Sequence, residues 1–204
     1  MTTASNSDDH GERPVGASEP EPGQPAPEWA PLEPLPSSQM FVAAFAGTAP
    51  LTADDILDPA FDLVACQNQQ RLALDVLESD TAPAEQLKHA ATDLVTARAD
   101  IEVLIATIDD AVADRLKQRS NRAAVATAMP DIAPIDDLPL EPVHTESIGE
   151  IAARMADLWE AMIDKAKHYV VGEFPEAAQL IELCRGYDSL AAEIETGRRL
   201  PPGV

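Results

Sequence analysis

Pro83 to Arg119 reads PAEQLKHAATDLVTARADIEVLIATIDDAVADRLKQR, and its apolar residues recur every seven positions. Leu87, Leu94, Ile101 and Ile108 form one row; Ala90, Ala97, Leu104 and Ala111 form the row beside it. Two such rows are an a/d seam, and an uninterrupted helix of this length spans roughly 55 Å at 1.5 Å per residue. A seam that long is driven out of water, so it needs a partner helix from this chain or another. The alanines of the second row let that partner come close. The segment therefore decides the fold class: helix packed on helix.

Working outward, Asp58-Pro59 has the chemistry of a helix start, with Asp a good N-cap and Pro a good first helical residue. Thr52-Ala-Asp-Asp55 just before it reads as a separate capped turn. From there to Ser79, Phe61, Ala65, Leu72 and Val76 form one apolar row, widened by Leu63, Cys66, Ala73, Leu74 and Leu77. The middle of this helix, Gln67-Asn-Gln-Gln-Arg71, is polar: glutamines facing an interface there could set register, and the plainer reading is that this turn lies where the bundle meets solvent. Ser79 to Pro83 is a tight connection, and short connections make antiparallel neighbours. Residues 51–120 are thus expected to form a long helical hairpin whose second helix outruns the first near Asp109–Arg119.

Downstream, residues 121–147 contain Pro130, Pro134, Pro139 and Pro142, which prevent a helix. Ile132, Ile135, Leu138, Leu140 and Val143 recur among them, so the segment is read as an extended strap rather than a free linker. Ser147-Ile-Gly-Glu150 is a capping box. Behind it Ile148, Ile151, Met155, Leu158, Trp159, Met162, Ala166 and Val170 make an amphipathic face at helical spacing. Gly172 ends that helix and Pro175 opens the next, which carries Ala177, Leu180, Ile181, Cys184, Tyr187, Leu190, Ala191 and Ile194 before Gly197. Residues 148–204 form a second hairpin and tail.

Upstream, residues 1–50 combine an acidic, Pro-rich arm with a short apolar segment. The composition of 1–39 cannot bury enough surface to offset ordering entropy, so that part is expected to be disordered. Trp29 stands alone among prolines and is a candidate peptide anchor. Met40–Ala46, with Phe41 and Phe45, docks on the helical body or meets a partner.

Composition agrees with an all-α class. Hydrophobic residues make up 45% of the 204, but aromatics only 4%, fewer than a sheet-based core wants. The net charge is −22. Residues 1–50, 51–120, 121–147 and 148–204 carry −6, −8, −4 and −4. With every segment acidic, no basic face exists for phosphates, which excludes nucleic acid and anionic membranes as expected partners. No apolar run reaches the ~20 residues that span a bilayer. Two cysteines far apart, no CxxC and no basic-then-apolar leader fit a reducing, cytoplasmic setting. Ten Arg against four Lys, with abundant Ala, is a bias of high-GC bacterial or phage genomes, and a virion is the other setting considered.

No reaction motif is present. Glu141-Pro-Val-His144 has Glu-x-x-His spacing, but Pro142 breaks the helical turn that would aim both ligands. Glu85/His89 and Asp164/His168 are i,i+4 surface pairs. The paired aspartates lack the alternation and glycine of a calcium loop, and no P-loop or nucleophile elbow occurs. No catalytic, cofactor-binding or metal residue and no cofactor are assigned. The expected role is non-enzymatic: a structural or adaptor protein acting through helix-mediated assembly into a larger complex. Its partner is a protein, heteromeric or basic in preference to a large homo-oligomer. Trp29, Phe41, Phe45, Leu87, Leu94, Ile101, Leu104, Ile108 and Val112 are the candidate partner-binding residues. An acidic regulatory binder that mimics nucleic acid on a basic protein is the alternative, and a carboxylate-metal helical-bundle enzyme comes third.

Overall fold

The computed structural model describes residues 33–48, 52–127, 146–168 and 174–199. Trp29, the Pro-rich strap from 128 to 145 and the turn at Gly172 lie outside these residues, and so do the readings that rest on them. Among the described residues there are five helices and no strand: α1 (Ser38–Phe45), α2 (Asp54–Leu77), α3 (Ala84–Thr127), α4 (Ile148–His168) and α5 (Pro175–Glu195). The protein is all-α.

α3 is longer than the spacing of its seam implies. It runs 44 residues, about 66 Å, because nothing after Arg119 stops a helix before Pro130. The boundary drawn at residue 120 therefore falls inside α3. α2 also begins earlier than Asp58-Pro59 suggests. It is continuous from Asp54 with Pro59 inside it, behind Ala53 in the left-handed region at φ 60°. Burial holds this first turn: Ile56, Leu57, Ala60 and Leu63 are all 2% exposed or less. Against that, Pro59 removes one backbone donor.

This start rotates α2 relative to the expected row. Ile56, Leu57, Ala60, Leu63 and Gln67 face the core, whereas Phe61, Ala65 and Leu72 are exposed. α2 and α3 run in opposite senses: Asp55 meets Arg115 at one end, and Leu72–Val76 face Gln86–Ala90 at the other.

The core lies at the end of the molecule where five elements meet. Ile108, Val112 and Leu116 of α3 are buried there with α1, the first half of α2, α4 and α5. The overhang expected near Asp109–Arg119 is thus covered: α2 begins early enough for Asp55 to reach Arg115, α4 packs on α3, and the Glu33 and Pro34 carbonyls accept from Arg119 and Arg115. Gly149 makes the α3–α4 crossing tight: a Cβ at this position would sit 2.4 Å from the Ile105 carbonyl oxygen. Its N–H donates to Asp109 Oδ1 at 2.8 Å. The capping box is present, with Ser147 N–H donating to Glu150 Oε2 at 2.7 Å and Glu150 N–H to Ser147 Oγ at 3.1 Å.

Residues 33–39, assigned to the disordered arm by composition, belong to the body. Leu35, Pro36 and Ser38 are buried. Tyr187 Oη donates to the Pro36 carbonyl at 2.6 Å, and Arg119 donates to the Glu33 carbonyl at 2.8 Å. Asp188 of α5 caps α1 by accepting from Ser38 N–H (2.8 Å) and Oγ (2.7 Å). α1 then ends at Gly47, φ 69°, with Thr48 N–H bonded to the Ala43 carbonyl. Gly197, φ 68°, closes α5 the same way, with Arg198 N–H on the Glu193 carbonyl. A positive φ costs glycine little, which is why the stop at Gly197 was readable.

Candidate protein-docking surface

The seam divides in two. Toward the core it is sealed: Ile108 is fully buried and Val112 is 1% exposed. Toward the α2–α3 connection, Ala90 and Ala97 are buried, but Leu87 and Leu94 are only partly buried; Ile101 and Leu104, also partly buried, pack against the edge of the core. There α3 has only α2 against it for most of its length. Two helices in contact cannot enclose leucines placed on a seam, since each offers a single facing stripe. From about Leu72 to Val103 the chain forms a two-helix arm. Leu72 is 58% exposed, Val95 69% and Val103 63%.

A groove of about 380 Å³ runs along one flank of this arm between α2 and α3. Leu72, Ala73, Val76 and Ala90 form its apolar wall, and Gln86, His89 and Asp93 its rim. The exposed α2 row that begins at Phe61, 50% exposed, leads into it at helical spacing. Cys66 lies on the same flank, half-buried. Burial first, then the nearby charges of Asp100 and Asp62, push its thiol above the usual range. At neutral pH it is a protonated, unreactive thiol. Cys184 is likewise raised, mainly by burial.

Along the opposite flank α2 meets α4, and here the polar middle of α2 finds its use. Gln67, 8% exposed, donates from Nε2 to the Ala153 carbonyl at 3.3 Å. Arg71 binds the Asp157 carboxylate at 2.8 Å and its carbonyl at 3.1 Å. Lys165 hydrogen-bonds Glu176, and that bond holds the Glu176 carboxyl below the ordinary range. These residues join α2, α4 and α5; the sequence showed the polar run but not which helix would satisfy it. A second cleft, about 540 Å³ between α4 and α5, is lined by Arg154, Asp157, Leu158, Gln179, Glu182, Leu183 and Gly186.

Several candidate partner-binding residues have a different place. Phe41 is fully buried and Phe45 is 5% exposed. Phe41 meets Tyr187 edge-on with centroids 5.3 Å apart, and Phe45 lies 6.4 Å from Trp159. With Ile108 and Val112 they belong to the chain's own core and present nothing to a partner in this fold, because α1 packs inward on α2, α4 and α5. Leu87, Leu94, Ile101 and Leu104 are the candidates left at a partly open surface. Leu72, Val95 and Val103 were not among the candidates; an apolar residue off the main seam was the available signal. Ile181, expected on the buried face of α5, is 53% exposed.

Among the described residues no three His, Cys, Asp or Glu converge as metal ligands, and no helix is long and apolar enough to cross a membrane. Comparisons of the chain with models of known protein families, with curated proteins and with solved structures returned no match.

Proposed function

We propose that this protein is a non-enzymatic structural or adaptor protein that docks a protein partner through its two-helix arm, as part of a larger assembly. The observation that carries this reading is the open half of the seam. Leu87 and Leu94 are only partly buried although they face α2, Leu72 of α2 is exposed, and Val95 and Val103 are exposed on another face of α3. An apolar groove wall left open beside a seam marks a contact surface more often than an isolated exposed residue does. The arm is also acidic: residues 72–104 hold seven Asp or Glu against Lys88 and Arg98, which favours a partner with a basic surface.

The lysines make a direct test. The sequence has four, Lys88 on the arm and Lys117, Lys165 and Lys167 elsewhere. Amine-reactive cross-linking of the assembly recovered from its native cells, read by mass spectrometry, should join partner peptides chiefly to Lys88. Cross-links confined to Lys117, Lys165 and Lys167 would contradict arm docking.

A further inference from the structure

The groove on the arm flank has a chemistry of its own. Its floor is apolar, and the lining includes no Lys or Arg. Its acidic groups lie on the same side: Asp93 on the rim, and Asp100 and Asp62 close enough to Cys66 to perturb its thiol. The exposed α2 row from Phe61 to Val76 covers 16 residues, about 22 Å between its end Cα atoms at 1.5 Å per residue. A furrow between two antiparallel helices is where the ridge of a third helix fits, which completes a bundle.

Resting on the docking reading above, we propose that this groove takes an amphipathic helix of a different protein. Its apolar face seats on Leu72, Ala73, Val76 and Ala90, and its Lys or Arg flank meets Asp93 and Asp100. Charge selects this occupant over the others. A second copy would bring another −22 and set carboxylates against carboxylates. The segments of this chain outside the described residues fare no better: residues 1–32 hold one Arg against six Asp or Glu, and 128–145 hold four acids and no Lys or Arg. Opposite charge at the edges of an apolar contact raises the association rate and fixes register, while the apolar face supplies most of the affinity.

The test uses the full chain and three synthetic peptides of about 18 residues. One has a Leu/Ala face with Lys flanks, one the same face with Glu flanks, and one the Lys composition scrambled to destroy the face. The Lys-flanked peptide should bind by fluorescence anisotropy, and its affinity should fall about tenfold between low salt and about 0.5 M NaCl. The other two should bind at least about tenfold more weakly. Asp93→Asn with Asp100→Asn should flatten the salt dependence, and Leu72→Glu should abolish binding. All three positions are exposed, and unchanged circular dichroism of each variant confirms that folding is intact.

Equal binding of the scrambled peptide would reduce the effect to bulk charge and overturn the proposal. So would a Lys-flanked peptide indifferent to all three substitutions, no binding, or a dimer by light scattering that Leu72→Glu dissociates. If cross-links still concentrate at Lys88 while the peptides fail, the docking reading stands and this occupant alone is wrong.

Discussion

α2 and α3 each take part in two different environments. At the packed end, Ile56, Leu57 and Leu63 of α2 and Ile108 and Val112 of α3 are at most 2% exposed. Along the arm, α3 carries Leu87 and Leu94 in the same heptad register, yet these are only partly buried, and Leu72 of α2 is exposed. The heptad spacing of the seam runs unbroken through both ends. The difference is the number of neighbours: α1, α4, α5 and the segment Glu33–Ser37 converge on one end and leave most of the other to a pair of helices. A heptad repeat specifies that a helix seeks company, and tertiary context decides how much it receives.

The largest test of this contrast is Gly149→Val. A Cβ cannot fit 2.4 Å from the Ile105 carbonyl oxygen, so α4 must lift off α3. The loss should be about 4 kcal/mol by urea denaturation. An unchanged midpoint would show that α4 does not seal the packed end. Next is the paired truncation of two seam residues. Ile108→Ala should cost about 2–4 kcal/mol, and Leu94→Ala about 1 kcal/mol. Equal losses would erase the distinction between the two ends.

Tyr187→Phe is smaller and adds a pH signature. Removing a buried hydroxyl bonded to the Pro36 carbonyl should cost about 1–2 kcal/mol. Burial, reinforced by the charges of Asp188 and Glu195, raises the phenol above its ordinary value of 10.0. The folded state thus retains the proton where the unfolded chain gives it up. The stabilisation is complete below about pH 10 and is lost as pH climbs from there toward the raised folded value. Wild type should lose stability through that alkaline window more steeply than Tyr187→Phe; parallel curves would place Tyr187 in water. Ser147→Ala, which breaks the capping box of α4, should lower stability by about 1 kcal/mol in thermal unfolding.

Part of this architecture was legible from residues alone. The seam, the capping box, the stop at Gly197 and the amphipathic face of α4 rest on local chemistry: period, cap and φ preference. Readings that depend on contacts distant in sequence did worse. Pro59 suggested a break, but burial of Ile56 and Leu57 carries α2 through it. Composition placed 33–39 in a disordered arm, whereas Asp188, Tyr187 and Arg119, up to about 150 residues away, fix that segment. Docking of Phe41 and Phe45 on the helical body was one of the two readings of their segment; that they meet Tyr187 and Trp159, on helices far along the chain, was not legible. For the candidate surface, the seam leucines were readable, but which half of them would stay open depended on where α4 crosses α3. Only a small residue at Gly149 hinted at that crossing.

Native-state hydrogen exchange along α3 in the isolated chain tests the central claim most directly, because one helix samples both environments. Amides from Ile105 to Leu116 should be strongly protected. Those from Leu87 to Ile101 should exchange through openings about 2 kcal/mol or more less costly. Uniform protection from Leu87 to Leu116 would contradict the account, since it would mean that the arm is as fully packed as the core.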